Sequence, residues 1–132
     1  KSMKDSFNLE LANQLGADDF GMKNYTIAFL KKGPNRNLSK EETNKLQRTH
    51  LDNIHKMVEN GVLLLAGPLL DDSNIRGIYI FNIDSVEEAQ KIAESDPAIK
   101  AGSLVLEIHP WNGSASLMKI NEIHKQISKI KI

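Results

Sequence analysis

Residues 46–68 read LQRTHLDNIHKMVENGVLLLAGP, and the reading of this stretch decides the fold. With about 100° of rotation per residue, Leu46, Met57, His50, Ile54, Val58 and Leu51 fall within one arc of about 140°, which marks an amphipathic helix. Asn60 and Gly61 end it, because glycine takes the left-handed conformation that closes helices. The run VLLLA at 62–66 continues as a buried strand, cut by Gly67 and Pro68. His50 lies in the middle of the apolar arc. An imidazole there is either a core histidine donating to a backbone carbonyl or the polar group at the floor of a pocket.

Working outward, YTIAFL at 25–30 is β-branched, aromatic and nearly all apolar, so it is a buried first strand. A Gly33-Pro34 turn follows, and Ser39 with Glu42 three residues on forms a capping box that starts the long helix. Downstream, the cluster Asp71, Asp72, Ser73, Asn74 is a turn, and RGIYIFN at 76–82 is a third strand, paired with the second as an antiparallel hairpin. Ser85 and Glu88 make another capping box. Val86, Ala89, Ile92 and Ala93 give the apolar face of a second helix, which ends near Ser95, Asp96 and Pro97. The run LVLEIH at 104–109 is a fourth strand, stopped by Pro110.

The order is β-α-β-β-α-β, a ferredoxin-like α+β arrangement with both helices on one face of a four-stranded antiparallel sheet. The other face carries apolar residues that a small domain does not leave in water, so a second copy packed sheet to sheet is expected. Residues 1–22 form an N-terminal extension with a short helix from about Leu9 to Leu15. It is read either as a lid over a site or as packing that covers a sheet edge. Residues 23–112 are the α+β domain. In the tail, 113–132, Ile120, Ile123, Ile127 and Ile130 form a narrow helical stripe that docks on its own domain or on a neighbouring subunit.

At 132 residues the chain is one domain in size, large enough to bury a core without staples. Its 17 basic and 17 acidic side chains balance. With one Trp, two Tyr and four Phe dispersed along it, it lacks the basic, aromatic face of a nucleic-acid binder, although local basic patches stand at Lys31 and Lys32 and at 125–131. There is no cysteine, which excludes disulfides, zinc thiolates and thiol catalysis. No apolar run is long enough to span a bilayer, so no membrane partner is expected. The compartment stays open between cytoplasmic and exported after removal of a leader.

With these motifs in place, the chain resembles the YCII-related family, on the run Arg48, Thr49, His50, Leu51; on Gly61; on Leu65, Ala66, Gly67, Pro68; on Glu87, Glu88, Ala89; on Asp96, Pro97; on Gly102; and on the closing Pro110, Trp111. The resemblance covers about residues 25–111 and lies in ordered spacing. It implies a dimeric α+β barrel. One related group includes lactone dehalogenases that resemble muconolactone isomerases and are proposed to use a histidine with an aspartate. The resemblance places that pair at His50 and Asp96.

The chemistry of those residue types agrees. An imidazole takes a proton from a carbon next to a carbonyl, and a buried carboxylate fixes its tautomer and holds the imidazolium that forms. The bland alternative makes Asp96 only a helix-end cap. Arg48 lies about 160° round the helix from His50 and is read as a structural or interface ion pair. Gly67 and Pro68 suit a pocket wall where the backbone turns sharply, and Asp71 or Asp72 reaches the same region. His109 and Trp111 alternate onto one face of the last strand, where a tryptophan closes the apolar end of a pocket or fills a dimer core. Tyr25 and Tyr79 are read either as phenolic donors for a developing enolate or, as most strand tyrosines are, as packing residues without that role. His55 is rotated about 140° from His50 on the same helix, and His124 stands alone on the tail, so no metal is assigned.

The expected function is a small cofactor-independent enzyme of isomerase, lyase or dehalogenase type. It acts on a small organic acid or lactone, with His50 as general base or acid oriented by Asp96. Gly67, Pro68, Tyr25, Trp111 and His109 are expected to contact the substrate. The rival readings are a non-catalytic metabolite-binding module in the same homodimeric or higher assembly, a dimerisation domain with a filled core, and a haem monooxygenase with His50 or His109 as axial ligand.

Overall fold

The strand Met22–Lys32 (β1) pairs antiparallel with Ile75–Phe81 (β3) on one side and Leu104–Ser114 (β4) on the other, and Leu63–Pro68 (β2) pairs with β3, giving the order β2-β3-β1-β4. The computed structural model describes residues 6–130. Its elements are α1 (Leu9–Leu15), β1 (Met22–Lys32), α2 (Lys40–Glu59), β2 (Leu63–Pro68), β3 (Ile75–Phe81), α3 (Val86–Ala93), α4 (Pro97–Lys100), β4 (Leu104–Ser114), a 3-10 turn (Ala115–Lys119) and α5 (Ile120–Ile127). This is the ferredoxin-like α+β fold. Residues 1–5 of the N-terminal extension and 131–132 of the tail, including Lys131 of the basic patch, lie outside the described residues.

Local chemistry accounts for the boundaries. Ser39 accepts from the Glu42 N–H while the Glu42 carboxylate accepts from the Ser39 N–H, closing the capping box of α2. Glu42 is held below the usual carboxylate range, chiefly by the Ser39 backbone N–H and then by the Ser39 hydroxyl. The α2 chain leaves through Asn60 and Gly61, the latter at φ 75°. Asn8 caps α1, accepting from the Leu11 N–H at 3.0 Å.

Alternation along the strands sends Ala28, Leu30, Tyr79 and Phe81 toward the helices, where Met57, Ala89 and Ala93 meet them in the main core. The opposite alternation puts Tyr25, Ile27 and Ile80 on the other face. The chain covers part of that face itself, with Leu117 and Met118 packed against the cluster of Tyr25, Leu64 and Ile80. α1 packs on the 3-10 turn and buries none of its residues, so it is not inserted over the helix-side core. In the tail, Asn121 donates to the Leu63 carbonyl at 3.0 Å, while Ile123 and Ile127 are exposed and Ile130 lies beyond the end of α5. The isoleucine stripe therefore does not bury as one seam.

Two expectations are corrected. β4 does not stop at Pro110 but runs through it to Ser114, with Pro110 opposite Thr26. β4 is an edge strand, where a residue without an N–H is tolerated. Asp96 does not close the second helix either. It starts a new one, α4, accepting from the Ala98 N–H at 2.8 Å with Pro97 at the first helical position.

Candidate active site

The apolar arc of α2 divides along its length. Met57, at the C-terminal end, is buried in the core, whereas Leu46, His50, Leu51 and Ile54 face a cavity of about 630 Å³ between the helix and the sheet. The opposite wall comes from Leu30, Tyr79 and Leu104, and one rim from Ala66, Gly67 and Pro68 of β2. Gly77, also in the lining, sits where an added Cβ would stand 3.0 Å from the Gly67 carbonyl oxygen, so the strands approach closely there.

At the floor, His50 Nδ1 lies 2.8 Å from Asp96 Oδ2. The same oxygen accepts from the Asn53 amide at 3.1 Å, and Oδ1 accepts from the Ala98 N–H. α2 supplies His50 and, one turn on, Asn53; the α3–α4 junction supplies Asp96, fixed by its capping role. The Asp96 side chain is 1% exposed and that of His50 14%. Burial alone would raise the Asp96 carboxyl. The His50 hydrogen bond and charge, the Ala98 N–H and the Asn53 amide together outweigh it and hold the group below the usual carboxylate range.

An ionised carboxylate only accepts. Nδ1 of His50 therefore carries the proton, and in the neutral ring Nε2 is left with its lone pair. The Tyr79 ring stacks on that imidazole at 6.4 Å between centroids. Its hydroxyl is buried with no hydrogen-bond partner among the described residues, and burial first, then the Asp96 charge, drives the phenol far above its ordinary value. It stays a neutral donor.

The structure brings His50, Asp96, Gly67 and Pro68 to one site and separates Tyr25, His109 and Trp111 from it. Those three lie on the opposite face of the sheet. The Tyr25 hydroxyl donates to the Ser114 carbonyl at 2.7 Å, and its ring meets Trp111 at 5.9 Å. His109 Nε2 is 2.7 Å from Glu107, which also pairs with Lys31. Strand alternation explains the separation: residues 25, 109 and 111 share the face that Ala28 and Leu30 do not. Arg48 is on the exposed side of α2 and does not line the cavity. Of the turn acids, Asp72 reaches the cavity, 3.8 Å from Lys32 Nζ, while Asp71 accepts from Ser73.

Three lining or supporting groups were missed in the sequence. Asn53 was legible, since three residues from His50 it shares a helix face. Arg36 sits in the β1–α2 loop. Arg76 stands at a bulge: Leu30 pairs with Gly77 but Lys31 pairs with Ile75, so Arg76 is the extra residue, and it is among those that line the cavity. Among the described residues no three His, Asp or Glu side chains converge as a metal site, and no helix is long and apolar enough to cross a membrane.

The chain is 32% identical over 62 residues, 47% of its own length and 71% of the relative's, to the uncharacterized protein YjpA of Bacillus subtilis. It superposes with a TM-score of 0.48 and 22% identity on 5-chloro-2-hydroxyhydroquinone dehydrochlorinase (TftG) of Burkholderia phenoliruptrix, solved with 2,5-dihydroxybenzoquinone, covering 65% of this chain and 92% of that one. The family model of the YCII-related domain matches residues 25–112, the span from the start of the central strand to the end of β4 that builds the sheet and the cavity. The chain therefore belongs to the YCII-related family.

Proposed function

We propose that the protein is a cofactor-independent enzyme that moves a proton on a small organic acid or lactone, with His50 as the base and Asp96 orienting it. The observation that carries this reading is the 2.8 Å contact between His50 Nδ1 and a buried carboxylate at the floor of an open cavity. Nε2 takes a proton from a carbon beside a carbonyl, and the C–H electron pair becomes the enolate. The imidazolium rests against Asp96. Returning the proton to a different carbon gives isomerisation; expelling a leaving group with the enolate pair gives elimination, as in a lyase or dehalogenase.

Proton abstraction is measurable before the net reaction is known. In D2O, wild type is expected to exchange the acidic carbon-bound protons of at least one member of a panel of α-acidic carboxylates and lactones, followed by proton NMR. His50→Asn is expected to slow that exchange about 10²- to 10⁴-fold. If no panel member exchanges in a His50-dependent way while ligands still bind, the cavity belongs to a metabolite-binding module.

We also propose a homodimer. Beyond the part covered by the tail, the open face presents Leu65, Val105 and Trp111, each more than a third exposed, a patch suited to a second copy. Light scattering should give a dimer mass across the micromolar range, and Val105→Glu should give a folded monomer. A monomeric wild type would sink the assignment.

A further inference from the structure

The cavity mouth is cationic in a chain of zero net charge. Lys32, Arg36 and Arg76 line it against one acid, Asp72, which stands 3.8 Å from Lys32. The two guanidiniums remain. Arg36 Nη1 donates to the Gly33 and Ser103 carbonyls at 3.5 and 3.3 Å, and Arg76 Nη1 donates to the Asp71 and Ser73 carbonyls at 3.4 and 3.2 Å. Carbonyls fix the orientation of these groups without neutralising them. Among the described residues neither guanidinium is paired with a carboxylate; Arg36 is exposed and Arg76 half-buried, so an incoming anion can reach both from solvent.

The position of Arg76 points the same way. Regular alternation past Gly77 would send its side chain to the open face; the bulge opposite Leu30 and Lys31 breaks that alternation at Arg76, which lines the cavity. Bulges recur where a strand must re-aim a side chain beside a site. Between this mouth and the His50 floor the walls are Leu30, Leu46, Leu51, Ile54 and Leu104, which suit an apolar body and offer it no second charge.

We infer that Arg36 and Arg76 anchor the free carboxylate of the substrate, a small monocarboxylate whose apolar body runs inward to place its reacting carbon at His50. The planar forks of two arginines match a carboxylate. A lactone ring is held only if it carries a free carboxylate as well. This builds on the proton-transfer reading by taking His50 as the reacting end, but anchoring and proton transfer fail separately.

The test is calorimetric and NMR titration of the full chain with acetate, hexanoate, benzoate and phenylacetate, each beside its primary amide. At least one acid should bind, its amide should bind at least tenfold more weakly, and Arg36→Gln and Arg76→Gln should each weaken the acid about 10- to 100-fold. Lys45→Gln, an exposed charge change on α2 outside the cavity lining, should leave it unchanged, and His50→Asn should still bind. Binding of no acid, amides equal to acids, or arginine variants no weaker than Lys45→Gln would overturn the anchor. Arginine-dependent binding without His50-dependent exchange would remove the enzyme reading and leave the anchor. Exchange confined to lactones lacking a carboxylate would do the reverse.

Discussion

An Asp96→Ala variant is expected to unfold with about 3–5 kcal/mol less free energy than wild type near neutral pH. The carboxylate is fully buried and satisfies three donors at once: His50 Nδ1, the Asn53 amide and the Ala98 N–H. Alanine leaves those donors buried or half-buried without an acceptor and removes the cap of α4. Asp96→Asn, which keeps the shape and one acceptor, should lose less. The penalty also depends on pH, with a defined sign. Because the folded carboxyl is held below its ordinary value, its contribution is complete above the unfolded carboxyl value of about 3.9 and disappears as pH falls through the lower folded value. Denaturant unfolding of both proteins at about pH 7 and about pH 3 should therefore show the gap narrowing in acid. A gap under about 1 kcal/mol at neutral pH would mean that Asp96 is not a structural keystone of the site.

Gly33→Ala is expected to cost about 3 kcal/mol, a fall in Tm on the order of 10 °C for a domain of this size. The cause is space rather than backbone angle. An added Cβ would lie 2.1 Å from the Gly102 oxygen, 2.8 Å from its carbonyl carbon and 2.9 Å from the Ser103 carbonyl carbon. All three are backbone atoms, so no side chain can swing aside. The same contact fastens the β1–α2 loop to the turn before β4, with the Gly33 N–H on the Ser103 carbonyl and the Asn35 N–H on that of Gly102. Thermal unfolding by circular dichroism checks this, and a Tm within about 2 °C of wild type would contradict it.

How much of this was legible in the sequence depends on the range of the physics involved. The capping box at Ser39, the N-cap at Ser85, where only the half with the Glu88 N–H forms, the exit at Gly61 and the alternation in β1 and β3 are local, and they carried the element order. The placement of His50 on an apolar arc is local too. The junction at Asp96 was misread because two neighbouring helices meet there; the pair Asp96-Pro97 is itself the signature of a helix start, an N-cap followed by proline. The tyrosine at 25 and the residues at 109 and 111 were drawn toward the pocket by residue type. The face each occupies follows from strand register, which connects positions more than eighty residues apart. Arg76 was beyond local reading altogether, because its direction depends on a bulge set by pairing between β1 and β3.

Both free margins of the sheet carry a proline. Pro68 ends β2, and Pro110 stands within β4 opposite the central strand. A chain arriving alongside either margin meets a gap in the row of N–H groups that it would need to zip onto. Sideways growth of the ladder into a fibre is thereby obstructed on the left and on the right. The long apolar strands that build the cavity can then persist at cellular concentration without serving as a template for aggregation.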